Sequence, residues 1–436
     1  MKKNKSKHLF IDLFAGCGGL SLGLEQAGFT PILVNELNKD AMDTYLMNRD
    51  EFPWLKENSY HDVKEVIEYT RGAPNYFRKK FRSLENDFNF SFKDGDLDLL
   101  VGGPPCQGFS HIGHRRNYSV DRNKIPANTL YEDMAKLIIR LRPKIFLFEN
   151  VRGLTWARWT KFGVKGEIWR DVQDTFMGAK KEFSALKKYK VETALLHARD
   201  YAIPQNRPRV FIVGMRKSHL KGLEEKEQEG FFPEPNTIGK PPDIVDVLSD
   251  LVNDDYTPGS GEKTSRYPKS PQNPWQKRIR TGKKGIVLKK GDILTEQDHS
   301  KNSERVWRKW EYMIEKNGFI DPSDDDPRMY ETNKFSQRVL PKRWGNSKPN
   351  LTVCGQPEDY VHFSQPRSIT VREWARLQTF PDWYQFSGPR TTGGLRRAGN
   401  PREGNFERDV PKYTQIGNAV PVGLAKEFGR HFMKFL

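Results

Sequence analysis

Cysteine is scarce in this chain: three in 436 residues, Cys17, Cys106 and Cys354, with no Cys-x-x-Cys spacing. That pattern suggests neither a disulfide framework nor a zinc knuckle, so each thiol needs its own explanation. Long apolar runs are missing too, and nothing approaches the roughly 18 residues of a spanning helix. The basic start, Met1 to His8, leads into Leu9–Leu13, which contains Asp12 and passes at once into glycines. A secretory signal needs a longer apolar stretch, so a cytoplasmic protein is expected. Acid is in deficit, with 73 Lys+Arg against 56 Asp+Glu and a formal charge of +17. This excess favours a polyanionic partner, nucleic acid before an anionic membrane. What is present is 36% hydrophobic and 12% aromatic residues, enough for a folded chain and too much for a disordered tail or a collagen-like fibre. The length predicts two or three domains at roughly 100–200 residues each.

The first half alternates. His8–Phe14 reads as a strand that breaks into Ala15-Gly16-Cys17-Gly18-Gly19, followed by a helix stopped at Gly28. Pro31–Glu36 reads as a second strand, Asp40–Asn48 as a helix and Leu97–Val101 as a strand ending at Gly102-Gly103-Pro104-Pro105. Tyr131–Leu141 reads as a helix; Pro143–Asn150, Tyr189–Leu196 and Arg209–Met215 read as strands. Such alternation predicts an α/β sheet, whose ligands collect beyond the carboxyl ends of the strands. The glycine turn, Glu36, the Pro-Pro-Cys turn and Glu149 all fall at such ends. From about Lys217 proline, glycine and charge become dense. Lys263–Gly291 holds ten basic residues and no Asp or Glu, with Tyr267 and Trp275 interleaved. Regular patterning returns near Ser368–Phe380 and Gln415–Phe435, so the middle reads as a loop-rich basic module inserted into the first domain.

Four segments carry chemistry. Small residues at Gly16, Gly18 and Gly19 let a backbone approach a ligand at a helix N-terminus. Glu36, about 20 residues on, suits ribose hydroxyls. A nicotinamide, a nucleotide, an S-adenosylmethionine site or a tight structural turn all fit that segment alone. Cys106 follows Pro104-Pro105 in a stiff turn, and Arg115 and Arg116 nearby would favour its reactive thiolate; a core cysteine is the plainer alternative. A metal reading with His111 and His114 lacks a fourth ligand, and no metal is expected. Glu149 ends an apolar strand, where desolvation raises a carboxyl's pKa and suits a proton donor; a capping or salt-bridged carboxylate fits as well. Arg207 and Arg209 open a strand, ready for a base carbonyl, a phosphate or a surface ion pair.

Taken together and in order, Asp12–Gly19, Gly103–Ser110, Glu149–Val151, Gln205–Arg209, Arg367–Glu373, Leu377–Asp382 and Gln415–Val420 resemble the DNA (cytosine-5)-methyltransferases over almost the whole chain. The resemblance implies a Rossmann-like S-adenosylmethionine-dependent methyltransferase sheet with a smaller, loop-rich target-recognition domain. It implies that Cys106 adds to C6 of cytosine, Glu149 protonates N3, and Arg209 with Arg207 holds the base. Asp12, Phe14, Gly16, Gly18 and Pro104 would surround S-adenosylmethionine, with Glu36 on its ribose, Asp62 on its adenine and Asn418 on its amino-acid end. Two departures stand out: Leu37 replaces the aromatic that relatives often place against adenine, and Arg152–Lys190, with Trp156, Trp159 and Trp169, has no family assignment. Residues 1–215, completed by 408–436, are expected to form the catalytic domain, and 216–407, including Arg367–Asp382, the recognition domain. Arg115, Arg116, Lys283 and Lys284 are expected on DNA phosphates, and the Cys106–Pro126 segment to close over an extruded base.

The chemistry asks for these residue types. C5 of cytosine is a poor nucleophile until a thiolate adds to C6 and N3 is protonated. A duplex hides C6, so the base must flip out. The partner expected is double-stranded DNA; the resemblance further implies a monomer, associated with the nucleoid through DNA, in the bacterial or phage restriction–modification setting typical of relatives of this size, where a cognate restriction endonuclease would act separately. Alternatives are a catalytically silent DNA-binding regulator, a tRNA cytosine methyltransferase (whose relatives have Pro-Cys-Gln-Pro where this chain has Gly108) and a nicotinamide oxidoreductase, which leaves the Pro-Pro-Cys turn unexplained.

Overall fold

The computed structural model describes residues 8–72, 97–105, 126–160, 162–235, 239–318, 326–328, 337–392 and 409–436. Cys106, Arg115 and Arg116, and the segment expected to close over the base, lie outside the described residues.

The alternating half folds into β1 (His8–Leu13), α1 (Gly19–Ala27), β2 (Phe29–Asn35), α2 (Lys39–Met47), β3 (Ser59–Tyr60), α3 (Val63–Tyr69), β4 (Leu99–Gly102), α4 (Leu130–Leu141), β5 (Ile145–Val151), α5 (Glu167–Phe176), β6 (Tyr189–His197) and β7 (Pro208–Arg216). The strands form one seven-stranded sheet in the order β3-β2-β1-β4-β5-β7-β6. Pairs from β3 to β5 are parallel, whereas β7 runs antiparallel to both β5 and β6. The central strands are apolar runs because both their faces are covered. Alternate residues go to opposite sides. Leu9, Ile11, Phe146, Phe148, Val210 and Ile212 join the core beneath α3, α4 and α5. Phe10, Ile145, Leu147, Phe211 and Val213 join the core on the other side with α1.

That second core is closed by the end of the chain. After α6 (Val371–Leu377) and α7 (Lys412–Asn418) comes α8 (Val422–Phe432), which packs along α1. The approach is close because Gly23 has no side chain: a Cβ there would lie 2.4 Å from the Val422 carbonyl oxygen and from the Ala425 methyl. Phe428 meets Phe211 of the sheet with ring centres 4.8 Å apart.

Three elements escape the sequence pattern. β3 spans two residues and α3 seven, too short for periodicity to declare. Within the unassigned Arg152–Lys190 stretch lies α5, whose Phe176 packs on Phe146 and Phe148 at 5.6 and 5.0 Å. The basic module is less irregular than its composition suggests, because it contains a helix at Glu304–Glu315 burying Trp310, Tyr312 and Met313. Its Lys263–Gly291 run is braced by isolated antiparallel bridges, Lys263 to Asp298, Arg266 to Ile293 and Thr281 to Val287.

α6 opens on a capping box in which Thr370 and Glu373 satisfy each other's backbone amides. Its core brings Cys17 and Leu22 together with Tyr267, Trp344 and Trp374. Gln205, just before β7, donates to the Leu377 carbonyl at 2.9 Å. The Arg367–Asp382 motif thus touches both the sheet half and the basic module. Among the described residues no helix is long and apolar enough to cross a membrane.

Candidate active site

The register of the parallel strands sets the site. Leu13, Gly102 and Phe148 are in line across β1, β4 and β5, so the segments that follow them lie side by side. At about 4.8 Å per strand, the β1 and β5 ends are roughly 10 Å apart.

The first segment is the glycine turn. Phe14, Gly16 and Gly18 have φ of 58°, 56° and 82°, a left-handed run that glycine accepts at no steric cost. The Gly16 amide donates to Glu36 Oε2 at 2.8 Å, and the Asn38 amide to Oε1 at 2.8 Å. Each carboxylate oxygen keeps a second lone pair for a hydroxyl donor. Burial raises the Glu36 pKa above the usual carboxylate range, against the amides of Asn38 and Gly16, which lower it. Asn35 donates to the carbonyls of Tyr60 and His61 at 3.0 and 2.9 Å, pinning the loop that carries Asp62. Asp62 is exposed and caps α3 by accepting from the Lys64 amide. Leu37 is 76% exposed beside these groups.

Asp12 stands apart from its expected place. It is 1% exposed and accepts a 2.6 Å hydrogen bond from Ser21 on α1, behind the turn rather than in front of it. Burial pushes its pKa up to about 7. Asn418 is exposed at the end of α7. Its neighbours lie on the turn: a Cβ at Gly19 would come within 2.5 Å of the Val420 carbonyl oxygen and 3.1 Å of the Ala419 methyl.

The second segment joins β4, β5 and β7. Pro104 is buried, and its carbonyl accepts from Asn150 Nδ2 at 3.0 Å. Gly103 leaves room for the Glu149 carboxyl, since a Cβ there would lie 2.9 Å from Oε2 and the side chain would have to shift. Pro105 is exposed and leads to position 106. Glu149 faces Phe211 and Val151 faces Arg209, which makes Glu149 and Arg209 diagonal neighbours on one face. Arg209 Nε lies 2.8 Å from Glu149 Oε1. Burial raises the Glu149 pKa, and the nearby Arg209 and Arg207 pull the other way without cancelling it. Burial likewise depresses Arg209.

Arg207 is 1% exposed and points elsewhere, donating to the carbonyls of Val353 at 2.9 Å and Gly417 at 2.6 Å. It ties the start of β7 to α7. Lys283 is similarly engaged within the protein: its ammonium pairs with Glu51 at 2.6 Å, donates to the Asn48 carbonyl and sits 4.8 Å from the Trp383 ring centre. Lys284 is exposed. The structure therefore gathers Phe14, Gly16, Gly18 and Glu36 into one cluster, with Asn418 leaving the segment that packs on it, and Pro104, Glu149 and Arg209 into an adjoining one. Asp12, Arg207 and Lys283 support rather than line it. Sequence reasoning did not find Arg49 and Tyr384, which hold the turn from behind; nothing in their local sequence signals it.

A seven-stranded sheet with an antiparallel β7, a glycine turn at the end of β1 and a desolvated acid at the end of β5 defines a Rossmann-like methyltransferase. The model of the C-5 cytosine-specific DNA methylases matches residues 9–434, and the chain belongs to that family of S-adenosylmethionine-dependent DNA cytosine methyltransferases. It is 30% identical over 421 residues to the Type II methyltransferase M.DdeI of Desulfomicrobium norvegicum, covering 95% of this chain and 86% of that one. It is 26% identical to the Type II methyltransferase M.Eco47II of Escherichia coli, covering 100% and 81%. A crystal structure of a protein described as a prophage-encoded DNA modification methyltransferase of Escherichia coli shares the fold, with a TM-score of 0.62 at 23% identity over 98% of each chain.

Proposed function

We propose that this protein is the modification enzyme of a Type II restriction–modification system, methylating C5 of a cytosine flipped out of duplex DNA and so protecting that DNA from a cognate endonuclease. The similarity to Type II methyltransferases along nearly the full chain supports the setting. The observation that carries the chemistry is the buried Glu149 at the end of β5, paired with Arg209 and abutting the Gly103–Pro105 turn.

S-adenosylmethionine, when bound, supplies an electrophilic methyl group on a sulfonium. The residues present fit it. Gly16 opens onto free space, with nothing within 4 Å of where its Cβ would be. Glu36 has acceptor capacity left for the ribose; in this reading the exposed Asp62 meets the adenine amine and the exposed Asn418 the amino-acid end. Asp12 acts through Ser21 to hold the turn.

Cys106, directly after Pro105, adds as a thiolate to C6 of the extruded cytosine. Glu149, whose pKa burial raises against the pull of Arg209 and Arg207, gives a proton to N3, and Arg209 donates to O2. The resulting enamine character makes C5 nucleophilic. Methyl transfer to C5 would leave S-adenosylhomocysteine; release of the C5 proton to solvent, departure of the Cys106 sulfur and return of the N3 proton to Glu149 then restore the neutral aromatic ring. Residues 1–215 with 408–436 form the catalytic domain and 216–407 the recognition domain, where Lys284, together with Arg115 and Arg116 near the thiol, meets phosphates. The test is covalent trapping. A duplex carrying 5-fluorocytosine at the methylated position should form a denaturation-resistant complex with the protein in the presence of S-adenosylmethionine, and Cys106→Ser should abolish it. Methylation without any trapped species would overturn the covalent route.

A further inference from the structure

We infer that Arg49 and Tyr384 are positioning residues that hold the glycine turn in its ligand-ready shape, so that cofactor affinity depends on two side chains that do not line the cofactor site. This rests on the reading of the turn as the seat of S-adenosylmethionine.

The turn has little of its own to hold it: Phe14, Gly16 and Gly18 all sit at positive φ, and one internal bond runs from the Gly18 amide to the Ala15 carbonyl at 3.0 Å. Of its next two carbonyls, that of Gly18 accepts the Leu22 amide of α1 at 2.9 Å, and both are met by side chains from the protein side. The Tyr384 hydroxyl donates to the Cys17 carbonyl at 2.5 Å, and Arg49 Nη2 donates to the Gly18 carbonyl at 3.2 Å. The same guanidinium bonds Glu25 on α1 at 2.7 Å, the Tyr45 carbonyl at 2.7 Å and the Tyr384 hydroxyl at 3.1 Å. It lies 3.7 Å from the centre of the Tyr45 ring. Arg49 is 3% exposed and Tyr384 fully buried. A rigid fork of five donors can serve this many acceptors at once, and a lysine cannot. The anchor has two ends. Arg49 stands just beyond α2, while Tyr384 belongs to the stretch after α6, where Gln385 and Asn48 exchange hydrogen bonds of 2.9 and 2.8 Å. A turn fixed in advance binds without first having to be ordered, and loosening it costs affinity.

The experiment measures S-adenosylhomocysteine binding by calorimetry on the full chain, with methyl-transfer kinetics on duplex DNA. Tyr384→Phe removes the hydroxyl, and Arg49→Lys keeps the charge beside Glu25 but loses the fork. Each should weaken S-adenosylhomocysteine binding about tenfold and raise the cofactor KM to match. The rate at saturating cofactor should stay within about twofold, because neither residue touches the reacting atoms. A merely structural role would lower the unfolding temperature and leave the affinity of the folded protein unchanged. Wild-type affinity in whichever of the two variants folds would overturn the inference. A wild-type chain that binds no S-adenosylhomocysteine would instead overturn the reading beneath it.

Discussion

Single side chains at the strand ends divide the work by depth. Glu149 and Asp12 are both carboxyls raised by burial, yet one adjoins the Pro104 turn and Arg209 while the other is sealed against Ser21. Glu149→Gln keeps the shape and removes the proton, and should cut methyl transfer by roughly 10²–10⁴-fold while duplex binding persists. The wild-type rate should fall as pH rises through the elevated Glu149 titration, and the residual rate of the glutamine variant should lack that limb. Asp12 has a stability signature instead. Its folded pKa of about 7 exceeds the ordinary carboxylate value, so the folded state holds the proton more tightly. The stability this provides is complete at pH values below the unfolded titration near ~4 and is lost as pH rises through about 7. Asp12→Asn should flatten the unfolding free energy across that window, read by denaturant melts at several pH values. At this scale the sequence identified residue types well and directions poorly. Asp12 and Arg207 lie close in sequence to the glycines and to Arg209, but Asp12 is turned against Ser21 of α1 and Arg207, ahead of β7, is drawn to the carbonyls of Val353 and Gly417. Proximity in sequence gives no sign of those partners.

Elements were legible where their apolar pattern was long enough to compete with everything else. The strands from β4 to β7 and helix α4 follow the sequence reading to within a residue or two. The two-residue β3 has no pattern to read, and α5 was hidden because its buried face is spread among charges in Glu167–Phe176. α6 shows what local sequence can and cannot give. Its capping box is written in Thr370 and Glu373, but nothing local announces that Arg367 lies buried on Glu373, with Nη2 2.6 Å from Oε1. Although burial alone would raise it, Arg367 holds the Glu373 carboxyl well below the usual range. A depressed carboxyl stabilises the fold above its unfolded titration and loses that contribution as pH falls. Arg367→Met leaves the acid buried without its partner and should destabilise the protein by about 3–5 kcal/mol. Denaturant unfolding at neutral pH measures this, and the penalty should shrink as the solution is acidified, because the orphaned carboxyl can then take a proton.

Across the whole molecule the charge excess is real but unevenly deployed. Lys283 and Lys284 are adjacent, equally basic and both exposed, yet the first is bound to Glu51 and the Asn48 carbonyl. Lys284→Glu should weaken duplex binding and reduce the slope of log affinity against log salt by about one. Lys283→Met should change that slope less and lower the unfolding midpoint more. Fluorescence anisotropy titrations at several salt concentrations and thermal melts separate the two. Composition marks where strand–helix alternation fades, near Lys217, and where regularity resumes. The contacts that knit it to the sheet half, such as Gln205 to Leu377, were not, because they join residues more than a hundred positions apart.

The placement of α8 has a consequence for how this molecule comes into being. A ribosome delivers β1 some four hundred residues before the helix that seals α1. Until then the greasy wall formed by Phe211, Val213 and Leu24 has no lid. The core on that side of the sheet therefore cannot close until α8 has been made, and the chain emerging before it is a natural client for chaperones.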